Sequence, residues 1–85
     1  MEIIKTDDFL RELEKLPNEI KQFCAIQEKR FQENWRDPRL HIKKVRSLPH
    51  AFSFRITRRY RVFFYFQAGE KAIFFEVDHR KDAYR

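Results

Sequence analysis

A single glycine, Gly69, and a single cysteine, Cys24, stand among 85 residues. One cysteine cannot close a disulfide within the chain, so the core must hold by packing, and a reducing cytoplasm is the expected setting. One glycine leaves no room for a flexible linker or a glycine-rich phosphate loop. Apolar runs fall well short of the ~18 residues that mark a membrane helix. The opening Met1-Glu2-Ile3-Ile4-Lys5 has no apolar leader, so no signal peptide is expected. His41, His50 and His79 are scattered, and neither Cys-x-x-Cys nor His-Glu-x-x-His spacing occurs. The expectation is therefore no metal and no cofactor. Repeats and low-complexity stretches are also missing.

What is present is phenylalanine and positive charge. Ten Phe within a 42% hydrophobic composition can build one core without staples, which implies a single domain over residues 1–85. The net charge of +6 is uneven. Residues 1–35 hold six Lys/Arg against eight Asp/Glu, and residues 36–85 hold thirteen against five. A basic field confined to one half of a small domain suits a phosphate backbone.

Periodicity sets out the elements. Glu2 to Lys5 reads as a short strand. Thr6, Asp7 or Asp8 can cap a helix carrying Phe9, Leu13 and Leu16 at helical spacing. Pro17 ends it and suits the start of a second helix, with Ile20, Phe23, Cys24, Gln27, Phe31 and Trp35 on one stripe. Asp37-Pro38 stops that helix. Residues 39–50 read as a basic connecting segment with partly extended backbone. Phe52 to Thr57 alternates, with Phe52, Phe54 and Ile56 on one face and Ser53, Arg55 and Thr57 on the other. A turn at Arg58-Arg59 leads into Tyr60–Phe66, a central strand that is apolar except for Arg61. Gln67-Ala68-Gly69-Glu70 is a hairpin turn, and Ala72 to Val77 is the last strand.

The expected fold is α+β, in the order β-α-α-β-β-β. A helical hairpin covers one face of a mainly antiparallel four-stranded sheet. The core should draw on Phe9, Leu13, Leu16, Ile20, Phe23, Phe31, Phe52, Phe54 and Ile56. Ser53 and Arg55 should lie on the open face. Arg61 must either face solvent or pair with a carboxylate such as Asp78 or Glu76, because burying a lone guanidinium costs several kcal/mol.

Two blocks carry a family resemblance. One runs from Pro38-Arg39-Leu40 through Lys44-Val45-Arg46, Pro49 and Phe52 to Tyr60-Arg61-Val62. The other is Val77-Asp78-His79-Arg80-Lys81-Asp82-Ala83-Tyr84. In this order, and in a short basic chain, they resemble the RelE/ParE superfamily of type II toxins over nearly the whole length. RelE members cut mRNA in the ribosomal decoding site, whereas ParE members poison DNA gyrase. The resemblance thus implies a ribosome-dependent mRNA endoribonuclease, or a gyrase inhibitor without nuclease activity, or an inactive remnant that binds only its antitoxin. It implies a cognate antitoxin as partner, in a toxin–antitoxin hetero-oligomer, and mRNA on the ribosome as substrate. Arg61, Arg80 and Tyr84 carry over as catalytic residues, and Arg55 matches a family lysine. Ser53 stands where RelE has a further lysine, which leaves the general base open. His79 has no counterpart in RelE itself, although other branches use a histidine near this end.

Cleavage of RNA without a metal needs three things. The 2′-hydroxyl must lose a proton, the phosphorane must be neutralised, and the 5′-oxygen must gain a proton. Arg61 and Arg55 suit the second task, since a guanidinium can hold two phosphate oxygens. Arg80 can assist the leaving oxygen only electrostatically. Histidine is the side chain whose reference pKa, about 6.5, lies nearest neutrality, which makes His79 a candidate for proton transfer. Tyr84 can orient the nucleophile, stack on a base, or serve as base if cations lower its pKa. Lys43, Lys44, Arg46, Arg58, Arg59 and Lys81 are the expected RNA-backbone contacts.

Overall fold

Thr6 opens the first helix. Its hydroxyl oxygen accepts from the Phe9 N–H at 3.2 Å, and α1 spans Asp7–Glu14 with both aspartates in the first turn. There they meet the positive end of the helix dipole. Pro17 separates α1 from α2, Asn18–Glu33. The computed structural model describes residues 1–79, and within them both helices pack on one face of a five-stranded sheet.

The strands are β1 (Glu2–Lys5), β2 (Lys43–Lys44), β3 (Ala51–Arg55), β4 (Tyr60–Gln67) and β5 (Lys71–His79), in spatial order β1-β5-β4-β3-β2. β1 runs parallel to β5, and every other pairing is antiparallel. The α+β class and the single helix layer match expectation, but the strand count is five rather than four. The added strand lies in the segment read as a basic connector. It is only two residues long and pairs with Phe52 and Ser53. Two lysines offer no apolar alternation by which to recognise it.

Before β2, Pro38–Leu40 makes one turn of 3-10 helix. Asp37 caps it, accepting from the Arg39 N–H at 2.9 Å, with the Arg39 guanidinium 2.7 Å away. These bonds hold the Asp37 carboxyl down to about 2. β4 and β5 join through Gly69 (φ 85°), which takes the left-handed conformation most cheaply, and Glu70 (φ 58°).

The main core centres on Phe31. Its ring lies 5.0 to 5.6 Å from Phe54, Phe64 and Phe74, one from each of β3, β4 and β5. Phe9 of α1 reaches Phe74 at 5.7 Å. Leu40, outside the expected core, is fully buried. Leu13, Leu16, Ile20 and Phe52 flank the cluster. Phe23 departs from expectation. It is 41% exposed, because the helix turns this position beyond the stripe defined by Cys24, Gln27 and Phe31. Trp35 lies past the end of α2, against Phe66 and under the Arg36 guanidinium. Burial pushes the Cys24 thiol up to about 12, which makes it a packing residue rather than a nucleophile.

Phe63 pairs with Glu76 while Phe64 pairs with Phe74, so Phe75 is an extra residue in β5. This bulge falls where β1 stops covering the edge of β5. Side chains of α1 take over there. Thr6 donates its hydroxyl to the Phe75 carbonyl at 3.4 Å, and the Glu12 carboxylate accepts from the Val77 N–H at 3.1 Å. Burial raises the Glu12 carboxyl above its ordinary 4.5, with Glu76, Asp78 and Asp8 adding to the shift and the Val77 bond opposing it.

The folded chain therefore holds the Glu12 proton more tightly than the unfolded chain does. The linked stability is present below pH 4.5 and is lost as pH rises through the folded value. Glu12→Gln keeps an acceptor for Val77 and removes the charge. Wild type should lose stability relative to Glu12→Gln as pH rises across that range. Glu12→Ala should be less stable than Glu12→Gln by about 1–2 kcal/mol, since it orphans a backbone donor. Urea melts over a pH series check both, and parallel pH profiles for wild type and Glu12→Gln would contradict the first.

Candidate functional site

Alternation along β3 sends Phe52 and Phe54 to the helices, so Ser53 and Arg55 turn to the opposite face. In-register neighbours share a face. Two transverse rows result on the side away from the helices. One is Lys43, Ser53, Phe63 and Glu76, and the other is Arg55, Arg61 and Asp78. Three cations from three adjacent strands therefore surround Ser53. Sequence alternation foresaw the face of Ser53 and Arg55. It could not place Lys43 there, because the register of β2 was hidden.

The face is not open throughout. Residues 45–50 fold back over it, with Val45 donating to the Ala51 carbonyl at 3.0 Å. Val45, Ala51 and Phe63 form a second apolar cluster, joined by Leu48 and Phe75. Ser53 and Arg61 are consequently 4% and 6% exposed. Of the two placements expected for Arg61, the solvent-facing one is excluded, and Asp78 lies opposite it in register. Arg61 Nη1 also donates to Ser53 Oγ at 3.3 Å.

Arg55 and Arg61 face each other directly across β3 and β4. Like charges in this position repel, and directly opposed Cβ atoms sit only ~4.5–5.5 Å apart. Arg55 has a further debt. Among the described residues its Nε–H is buried without a hydrogen-bond partner. A buried unsatisfied donor beside a second guanidinium is an arrangement that an anion would relieve. A phosphate accepting from both guanidinium groups meets each requirement.

Gln27 stiffens the site from behind. This buried side chain donates to the Arg55 carbonyl at 2.7 Å and to the Arg39 carbonyl at 3.0 Å, while its own oxygen accepts from Arg30. It ties α2 to the strand that carries Arg55. The sequence placed Gln27 on the buried stripe, and a lone amide on such a stripe was the available signal for this role.

The other expected residues scatter. His79 pairs with Tyr60, and its ring meets the Tyr60 ring edge-on at 5.2 Å. By alternation it lies on the face opposite Asp78. Lys44 pairs with Phe52 and so points away from the arginine face. Arg46 is exposed on the covering loop, and Arg58 and Arg59 are exposed at the β3–β4 turn, near the Arg55 end of the site. Arg80, Lys81 and Tyr84 lie outside the described residues. Among the described residues no cluster of His, Cys, Asp and Glu could hold a metal ion, and no helix is long and apolar enough to cross a membrane.

The fold recurs among small toxins. The RelB–RelE antitoxin–toxin complex from Methanococcus jannaschii aligns with a TM-score of 0.77 at 24% identity, over 95% of this chain and 94% of that one. The RelE–RelB complex from Pyrococcus horikoshii OT3 gives 0.77 at 12% identity, over 96% and 97%. The RelBE2 toxin–antitoxin complex from Mycobacterium tuberculosis gives 0.66 at 30% identity, over 93% and 96%. The class is thus that of the compact α+β type II toxins. A family model described as the ParE toxin of type II toxin-antitoxin system, parDE, matches residues 3–84, and the chain belongs to this family within the RelE/ParE superfamily. A search of curated proteins returned no match.

The opposed arginines carry a stability test. Arg55→Gln removes the repulsion and the buried orphan, so the free protein should gain up to about 1 kcal/mol in low salt. Screening should shrink the gain at high salt. Inorganic phosphate should raise the melting temperature of wild type more than that of Arg55→Gln. Urea and thermal melts measure this, and a destabilised Arg55→Gln at low salt would contradict it.

Proposed function

We propose that the chain is a type II toxin that cuts mRNA on the ribosome and is neutralised by a cognate antitoxin. The observation that carries the reading is the directly opposed Arg55–Arg61 pair, with a buried Arg55 Nε–H that lacks an acceptor among the described residues. Such a pair is shaped for an oxyanion whose charge grows during reaction. In 2′-hydroxyl attack, the phosphorane places extra negative charge on its non-bridging oxygens, and preformed guanidinium groups stabilise that charge without reorganising. Arg61, held in a buried setting, acts on the phosphoryl oxygens. Arg55 shares this task through its free Nε–H. Lys43, on the same face and exposed, steers the backbone into place. Arg58 and Arg59 extend the basic surface from the turn beside Arg55. Arg80 and Tyr84 remain proposed catalytic groups from the resemblance, with Lys81 as a backbone contact. His79 is the weaker proposal, because its ring engages Tyr60.

An antitoxin partner is supported by the relatives, which were solved as toxin–antitoxin complexes. An acidic segment laid over the cations would block the phosphate site and satisfy Arg55 at once. The family match is itself to ParE toxins, which favours gyrase inhibition as the second reading.

Single-turnover cleavage of mRNA on programmed ribosomes separates the two. Arg61→Ala should lose about 3–4 kcal/mol of transition-state stabilisation, roughly two to three powers of ten in rate. Arg61→Lys should recover part of it, because a point charge does not reproduce the fork. Lys43→Ala should weaken cleavage more than Lys44→Ala, since the two lysines turn to opposite faces. A toxic wild type that cuts no mRNA but halts gyrase supercoiling would transfer the assignment to the second reading.

A further inference from the structure

We infer that Ser53 is a positioning residue that sets the plane of the Arg61 guanidinium toward the bound phosphate. The inference deepens the nuclease reading and rests on it for its kinetic arm. Ser53 and Arg61 are both buried, on adjacent strands and on the same face, two residues apart along the diagonal. The 3.3 Å bond from Arg61 Nη1 to Ser53 Oγ fixes one corner of a planar, fork-shaped group. Fixing one nitrogen of such a group aims the others. Water cannot perform this task readily at a site so little exposed.

The chemistry of the position explains why a serine serves there. Arg55 stands opposite Arg61, and Lys43 stands opposite position 53 itself. A fourth cation at position 53 would add repulsion at the centre of the cluster. A carboxylate would bind Arg61 but repel the phosphate. A hydroxyl accepts from Arg61, carries no charge, and keeps its own O–H for a further acceptor. It is the smallest group that orients the guanidinium and leaves its charge available.

The test has two independent arms. In the first, the Arg61 side-chain nitrogen signals are followed by nitrogen-15 NMR in the free full-length protein, assigned by their loss in Arg61→Lys. Ser53→Ala should speed rotation about the Arg61 Nε–Cζ bond by at least about tenfold, and Ser53→Thr should restore slow rotation. In the second, single-turnover cleavage on programmed ribosomes should fall about tenfold in kcat for Ser53→Ala, with KM within about twofold, and Ser53→Thr should recover most of the rate. If Ser53→Ala does not fold, Ser53→Cys, of similar volume and a weak acceptor, is read in its place. Unchanged Arg61 rotation in the variant lacking the hydroxyl would overturn the inference. So would a folded Ser53→Thr as slow as Ser53→Ala. If wild type cuts no mRNA, the nuclease reading falls, and the rotation arm still decides whether Ser53 positions Arg61.

Discussion

The structure depends on one ring. Phe31 enters from the second helix and meets an aromatic residue from each of three neighbouring strands. Edge-to-face and tilted contacts of this kind add to the burial of large apolar area. They also fix a direction. Once Phe54, Phe64 and Phe74 are committed to the helices, the alternation of each strand assigns the intervening residues to the other face. Ser53, Arg55, Arg61 and Phe63 have no choice of side. The functional face is thus a consequence of the core, and a register slip of one residue would invert both.

The second face is built to be expensive. It holds opposed arginines, a buried hydroxyl and a donor without an acceptor among the described residues, and it is shielded by the residue 45–50 loop. The opposed charges and the unsatisfied donor work against folding, and the apolar cluster under the loop offsets them. Shielding lowers the local dielectric, which strengthens attraction to an anion and repulsion between the two arginines alike. The gain on binding and the cost in the free state therefore share one origin. Gln27, bonded to the backbone behind Arg55, shows how the cost is contained. The strand that bears the strained charge is pinned to the helix that carries the core.

Local chemistry was readable where a single residue type has a single strong preference. Pro17 as a break, the alternation of Phe52, Phe54 and Ile56, and a helix cap among Thr6, Asp7 and Asp8 declared themselves; the fold assigns the cap to Thr6, and α2 stops at Glu33, ahead of the Asp37-Pro38 expected to end it. Features set by distant pairing were hidden. Lys43-Lys44 carries no mark of a strand, and its pairing supplies the fifth strand and brings Lys43 beside Ser53. The bulge at Phe75 depends on where β1 ends, more than sixty residues away in sequence. The burial of Arg61 needed the fold-back of Val45 and Leu48, which the basic composition of that segment concealed. Phe23 was misplaced because helical spacing at steps of three and four covers a wider arc than the one that touches the sheet. The site could therefore be foreseen as a set of arginines, but not as an opposed pair with a serine beside it.

The two-residue strand that ends the sheet has a different consequence. An uncovered strand edge is a template on which another chain can pair, and long apolar edges lead to aggregation. Here the edge is only Lys43 and Lys44, with one ammonium group on each face. A second molecule approaching in register would find a ladder too short to hold and two like charges against its own. The lysine on the arginine-bearing face thereby also disfavours pairing between copies of the toxin. Removing that charge would loosen this protection along with any attraction to an anion on the same face, so the two cannot be tuned separately at this edge.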